Sequence, residues 1–432
     1  MNTFKVITNA TTIINDDLII DPWIYGNVYY DAWSPYPDPK YSKKKLKKIK
    51  YCFISHIHPD HWDLETIKLF NKSVKFFIPD IIYNRLIERN LRKIGFKNFN
   101  YLKLGKFHKI NKNYKFGVVP ALNQDGQEKA RRVEKDNPPG IDTGLIVQTQ
   151  NDKKNHLILT DNTPYNHKIY NKHFGNIDIT SCFFPYNGID DYPLCYDNFS
   201  LKEKKRLSIK RCHNREKVLI KFFKKIKPQI IIPHSSDFTL NIRKKEFYKI
   251  HSGEFMEKDL YAKRIEKKSN IRCVALYEDD VLEYDGKNFN EKIKSNKKSR
   301  TRIRKNVKVI LPKVEKKFKL HSLVKQSFES YLFRLKKYNF KIKNFSNWKL
   351  LINISKSKKF LIDPSKKEVK NINGKIKKHN LIILNTSENI FRCILERKLH
   401  LNNCLGAMIL SWQRYPNKFN KDFNESLSFF HL

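Results

Sequence analysis

The sequence predicts an α/β protein: two sheets covered by helices, followed by a smaller α+β domain. Three observations carry this. Short apolar runs alternate with amphipathic stretches through the first part of the chain, a charged stretch without apolar periodicity interrupts them at 288–308, and helical spacing and apolar runs resume beyond it. At 432 residues the chain is long enough for two or three domains, each with its own core.

Apolar runs at 4–7, Thr11–Ile14 and Leu18–Ile20 read as three strands, joined by turns at Asn9-Ala10 and Asn15-Asp16-Asp17. A buried strand over 51–55 enters a polar loop. Strands follow at 75–78 and Tyr114–Val119, with a helix over 81–94 between them. Residues 144–148 and 156–160 form a hairpin around Asn151-Asp152. A long basic amphipathic helix covers 202–227, with an apolar strand, 229–233, directly behind it. The run Lys-Ser-Asn-Lys-Lys-Ser-Arg-Thr-Arg-Ile-Arg-Lys makes 288–308 a basic linker, so the domains are 1–287 and 309–432. In the second, Leu320, Val324, Phe328, Leu332 and Leu335 space a helix over 318–338; strands at 348–354, 360–362 and 381–384 and a helix over 388–399 complete an α+β unit.

Lys and Arg number 87 against 43 Asp and Glu, a net charge of +44. Such a charge suits nucleic acid, anionic lipid or phosphorylated substrates. The excess runs through the whole chain, as a solvated lysine coat does, so it permits those partners without selecting one. No window approaches the ~20 apolar residues of a membrane span. Residues 1–15 hold one Lys and no long apolar stretch, which predicts no secretory leader and a cytoplasmic protein. The seven cysteines are odd in number and include no Cys-x-x-Cys or Cys-x-His pair, which excludes a disulfide framework, a zinc ribbon and an iron–sulfur cluster.

The sharpest signal is Ser55-His56-Ile57-His58-Pro59-Asp60-His61-Trp62. An apolar strand delivers three imidazoles and a carboxylate into one short loop. His56 and His58 project from the same side of an extended segment; the loop then turns, letting Asp60 and His61 face a second position. Borderline metals such as zinc take this nitrogen and oxygen ligand set.

The loop matches the His-x-His-x-Asp-His motif of the metallo-β-lactamase superfamily, and the chain resembles that family further along. The resemblance implies an αββα sandwich and a metal-dependent hydrolase. It makes Asp21, in Ile20-Asp21-Pro22-Trp23, a structural support for the metal loop. It makes Asp161, after Leu159-Thr160, a metal-bridging carboxylate, and His234, after Ile231-Ile232-Pro233, the last histidine ligand. One or two divalent ions, zinc first among them, would then lower the pKa of bound water toward ~7. His56 and His58 would hold one ion, and Asp60, His61 and His234 the other, with Asp60 also the catalytic group that orients the water and accepts its proton. The family expects one more histidine before Asp161, but none lies between His108 and His156. Asn123 or Asp125 replaces it through oxygen, the site holds a single metal, or catalysis has been lost.

A closer resemblance links Asp21-Pro22-Trp23-Ile24-Tyr25-Gly26, Ala32-Trp33, Tyr192-Pro193-Leu194-Cys195-Tyr196, Lys227-Pro228-Gln229, Leu405-Gly406-Ala407-Met408 and Arg414-Tyr415-Pro416 to CMP-N-acetylneuraminate hydroxylase and its bacterial relatives. It implies a small anionic substrate: an anionic sugar, a sugar nucleotide or a phosphorylated headgroup. Those hydroxylases depend on a Rieske module whose ligands this chain lacks, so an alternative is a non-hydrolytic protein needing a separate Rieske partner. A superfamily nuclease acting on RNA or DNA is the other rival, less favoured because no inserted nucleic-acid domain is apparent between Asp161 and His234. The C-terminal domain weakly resembles a sterol-carrier-like fold; its stripe Ile390, Phe391, Ile394, Leu395 reads as core rather than as a lipid pocket.

Overall fold

The computed structural model describes residues 1–121, 141–149, 153–161, 163–186, 191–251, 257–303, 307–315, 317–374 and 376–432. Two mixed sheets face each other. The first has eight strands in the order Phe289–Lys292, Val281–Tyr284, Asn2–Thr8, Thr11–Ile14, Leu18–Ile20, Tyr51–Phe53, Lys75–Pro79, Phe99–Leu102. The second has seven, in the order Arg272–Cys273, Ile230–His234, Ile179–Pro185, Lys154–Ile158, Gly144–Thr149, Tyr114–Val119, Phe107–Lys109. Phe4, Val6, Ile20 and Phe53 of the first pack against Phe116, Val118, Phe183 and Ile232 of the second, all fully buried.

Because side chains alternate along a strand, Cys52, Ile54, Phe76 and Ile78 turn outward onto Ile67, Ile87 and Leu91 of the helices Leu64–Ile67 and Arg85–Lys93. On the far side Leu157, Cys182 and Ile231 pack under Leu219, Phe222 and Phe223 of Leu201–Ile226 and under Tyr261 and Ile265 of Lys258–Ser269. The layers therefore run helix, sheet, sheet, helix, the αββα arrangement that the sequence resemblance implies. Ile179–Pro185 is paired in parallel on both sides and buried along its length, so it lacks the alternation that marks a half-exposed strand. The strand expected over 51–55 stops at Phe53, because Ser55 N donates to Asp21 Oδ1 instead of to a neighbouring strand. The hairpin strands pair as expected, Leu145 opposite Ile158; its turn residues Asn151 and Asp152 lie outside the described residues.

The C-terminal sheet runs Glu368–Asn371, Lys359–Asp363, Lys349–Asn353, Leu381–Asn385, Ser411–Tyr415, with only Lys349–Asn353 and Leu381–Asn385 parallel. Leu323, Val324, Phe328 and Tyr331 of the helix Leu320–Lys337 share a core with Leu350, Ile352, Phe360 and Ile382 of that sheet. That core continues into the sandwich through Trp23, Trp33, Leu194, Phe238, Leu240 and Phe247. Trp33 and Phe238 stack with ring centroids 3.7 Å apart, in the short ladder pairing Trp33–Pro35 with Phe238–Leu240.

The basic stretch 288–308 departs from the free linker that its composition suggests. It opens with the strand Phe289–Lys292, whose Phe289 is buried 4.4 Å from the Tyr284 ring. Its cations then find acidic partners on the sandwich: Arg300 pairs with Asp259 at 3.1 Å, and Arg302 pairs with Glu278. Charge hid a segment that packs. All seven cysteines are buried and none is disulfide-bonded. Among the described residues, no helix is long and apolar enough to cross a membrane.

Candidate metal centre

The loop after Tyr51–Phe53 rests on Asp21. Asp21 Oδ1 accepts from Ser55 N at 2.7 Å, and Oδ2 accepts from Ser55 Oγ at 2.8 Å. Oδ2 also lies 2.8 Å from His61 Nδ1. With Nδ1 engaged, His61 presents Nε2 to Asp60 Oδ2 at 3.4 Å and to Asp161 Oδ2 at 3.5 Å. That Nε2 is buried and makes no hydrogen bond.

His56 Nε2 lies 2.8 Å from His58 Nδ1, 3.3 Å from Asp142 Oδ1 and 3.8 Å from Asp161 Oδ2. His58 Nδ1 lies 3.7 Å from Asp142 Oδ1 and 3.8 Å from Asp161 Oδ2. The donors fall into two groups that share His56: His56, His58 and Asp142, and His56, His61 and Asp161, each with its ligand atoms within 4.8 Å of one another. Asp161 Oδ2 is close to all three imidazoles.

Asp142 does not figure among the residues singled out from the sequence. Gly144 stands opposite Val119 in the ladder, so the residues before Gly144 arrive at the sheet edge where Tyr114–Val119 ends, the edge at which the expected histidine is missing. Thr143 fixes the approach: its Oγ1 donates to Ser55 O at 2.7 Å, and its carbonyl accepts from Thr160 Oγ1 at 2.8 Å. Asn123 and Asp125, the candidate oxygen replacements, lie outside the described residues.

Asp60 and His234 stand beside the two groups rather than within them. Asp60 Oδ1 accepts from Tyr29 Oη at 3.0 Å and Oδ2 from Asn9 Nδ2 at 3.2 Å. Asn9 also ties this loop to the end of Ile230–His234, since its Oδ1 accepts from Ser236 N at 2.6 Å. His234 spends its Nε2 on the Leu159 carbonyl, 2.7 Å away, while its buried Nδ1 makes no hydrogen bond. Neither Asn9 nor Tyr29 carries a signal in the sequence beyond turn formation and apolar bulk.

Burial and the neighbouring rings of His61 and His58 hold the His56 pKa well below the usual imidazole value, leaving it neutral and ligand-competent. Burial also opposes charge on His61, but Asp60, Asp21 and Asp161 outweigh it and raise His61 well above that value. At His58 burial is likewise outweighed, by Asp161, Asp142 and Asp60, and the pKa rises. Asp161 is driven well below the carboxylate range: burial pushes it up, but the three imidazoles pull it down further. The donor chemistry fits a divalent metal, since a buried imidazole nitrogen without a hydrogen bond faces two carboxylates, one of which, Asp161, also lies 3.8 Å from two further imidazoles.

No family model matches the chain. Over 183 residues it is 30% identical to a Mycolicibacterium smegmatis protein described as a putative Rieske 2Fe-2S iron-sulfur protein, a match covering 42% of this chain and 32% of that protein. Over 149 residues it is 27% identical to cytidine monophosphate-N-acetylneuraminic acid hydroxylase of Asterias rubens, covering 33% of this chain and 20% of the relative. The matched stretches thus span a third or less of these relatives. Among solved structures, a metallo-beta-lactamase fold protein from Bacillus subtilis overlays 65% of this chain and 98% of its own at a TM-score of 0.36 and 11% identity.

Proposed function

We propose that this chain is a metal-dependent hydrolase of the metallo-β-lactamase type acting on a small anionic substrate: an anionic sugar, a sugar nucleotide or a phosphorylated headgroup. The observation that carries the reading is the pair of donor groups sharing His56, with His61 Nε2 buried between two carboxylates. His56, His58 and Asp142 would hold one ion. His61, Asp60 and Asp161 would hold a second, with Asp161 reaching both and His234 in reserve beside them. A divalent metal there, zinc in the first instance, supplies Lewis-acid polarisation of a carbonyl or phosphoryl oxygen and acidifies water. Asp21 keeps His61 Nδ1 occupied so that Nε2 faces inward. Asp60 is the group that orients water and takes its proton. Arg215, whose Nη2 donates to Asp161 O at 3.1 Å and Tyr165 Oη at 3.0 Å, places a cation behind Asp161, which suits an anionic site. The absence of disulfides among the buried cysteines suits a reducing compartment such as the cytoplasm.

Elemental analysis of protein purified without chelators should find bound metal, and His58→Ala should remove most of it. Hydrolysis of bis(p-nitrophenyl) phosphate or a p-nitrophenyl ester should stop with chelator and return with zinc. Protein that neither carries metal nor takes it up would overturn the reading. A second reading, a metal-holding partner for a separate Rieske protein, is favoured by the descriptions of the relatives. It predicts bound metal without hydrolysis, and a turnover that appears only when an iron–sulfur protein is added.

A further inference from the structure

Three consecutive residues, Tyr29, Tyr30 and Asp31, take left-handed backbone angles, with φ of 52°, 62° and 63°. Side chains disfavour that region, and such runs persist only where the surroundings over-determine them. Here they do. Val28 and Trp33 exchange two backbone bonds of 3.1 Å across the turn, and Ala32 N donates to Tyr29 O at 3.1 Å. Asn241 Nδ2 donates to Asp31 O at 2.7 Å and its backbone N to Ala32 O at 2.7 Å. From the far side of the basic stretch, Ile310 N donates to Tyr30 O at 3.1 Å.

The turn delivers the Tyr29 hydroxyl to Asp60 Oδ1 at 3.0 Å, opposite the Asn9 amide on Oδ2. The Tyr29 ring lies against Gly406, in the helix Leu401–Gly406 of the C-terminal domain. A Cβ at position 406 would stand 2.8 Å from Tyr29 Cε1, closer than real contacts allow. Gly406 is not in the left-handed region, so its backbone does not require glycine; the ring does.

We infer that Tyr29 is a positioning residue for Asp60, and that the C-terminal domain, by the bare surface at Gly406, holds Tyr29 in place and so completes the metal centre. The inference rests on the proposal that this centre binds metal. Neutral donors on both carboxylate oxygens fix the direction in which Asp60 faces His61. Outer partners of this kind typically change metal affinity about 10-fold or more when removed.

Cobalt(II) titration of the full chain, followed by visible absorption, tests this. Wild-type protein should bind cobalt with bands that report its coordination. Tyr29→Phe keeps the ring packing and loses only the hydroxyl, so it should melt near the wild-type temperature while binding cobalt about 10-fold more weakly, with shifted bands. Gly406→Ala, which helix propensity alone would favour, should shift the same bands, and the double variant should add little to either. Unchanged cobalt affinity and bands in Tyr29→Phe would overturn the inference even if Gly406→Ala failed to fold. A lowered melting temperature with unchanged bands would overturn it too, since that is what packing alone produces. Wild-type protein that takes up no cobalt would instead overturn the metal centre itself, and the inference with it.

Discussion

Between the two sheets, the core is made of strand residues whose neighbours in sequence point to the opposite face, as with Phe53 between Cys52 and Ile54. Around the candidate metal centre the core is assembled differently. Trp23, Trp33, Leu194, Phe238 and Phe247 come from loops and short elements of the sandwich, and they meet helices and strands from beyond residue 320. The first core repeats a regular pattern and sets the fold. The second joins segments hundreds of residues apart and sets the shape of the site, because the same loops carry Asp21 and Tyr29.

The most severe way to break this comparison is to remove the chain from 309 onward. That would uncover Trp33, Phe238, Leu240 and Phe247 together, and the remaining fragment should bind a hydrophobic dye and lose its sharp thermal transition. A fragment that stays monomeric and melts cooperatively would make the second core dispensable. Next in size, Phe183→Ala in the core between the sheets and Phe391→Ala in the second core should each cost about 3–5 kcal/mol, as both rings are almost wholly buried. If the cores form one cooperative unit, both variants shift a single transition; two separating transitions, one moved by each variant, would show that they do not.

Acid should act on the second core through His251. Its imidazole is buried against the Phe247 ring, with Nδ1 3.1 Å from Ser208 Oγ, and burial lowers its pKa from 6.5 to about 4. The folded state therefore binds this proton less readily than the unfolded state. The stability is fully present above pH 6.5 and is lost as pH falls toward about 4, by up to about 3 kcal/mol. His251→Gln should flatten the pH dependence of chemical denaturation in that window; an unchanged slope would remove His251 from the account. The smallest effect expected is at Asp63, which joins the metal loop to the start of the second core. Its carboxylate accepts from Gly26 N, Glu65 N, Thr66 N and Thr66 Oγ1. Asp63→Ala should cost about 1–2 kcal/mol by equilibrium unfolding, and no measurable loss would mean water replaces those bonds.

What could be read in the sequence was local. The loop His56–His61 stood out because its donors are adjacent, and Asp161 entered only through the family resemblance, since an aspartate after an apolar run is by itself a common turn former. Asp142 could not be found by searching just beyond the end of Tyr114–Val119; it precedes the next strand. An antiparallel neighbour begins where its partner ends, so the start of Gly144–Thr149 belongs to the same edge, a rule that would have drawn attention to Asp142. Ile179–Pro185 escaped notice because a doubly covered parallel strand has no polar face. Phe289 was hidden inside a basic run, where composition outweighed one buried ring. Tyr29 depends on Gly406, and nothing in one sequence links positions so far apart.

The seven buried thiols give the molecule a built-in record of its own opening. Cys52, Cys182 and Cys273 lie in the outer layers of the sandwich, while Cys195, Cys393 and Cys404 lie in the shared second core. Burial pushes these thiols up, Cys404 to about 12, so they are both shielded and protonated in the folded state. An alkylating reagent must therefore wait for the chain around each cysteine to breathe. The order in which the seven positions acquire label, read by mass spectrometry, would time the loosening of each part of the native protein with no substitution at all.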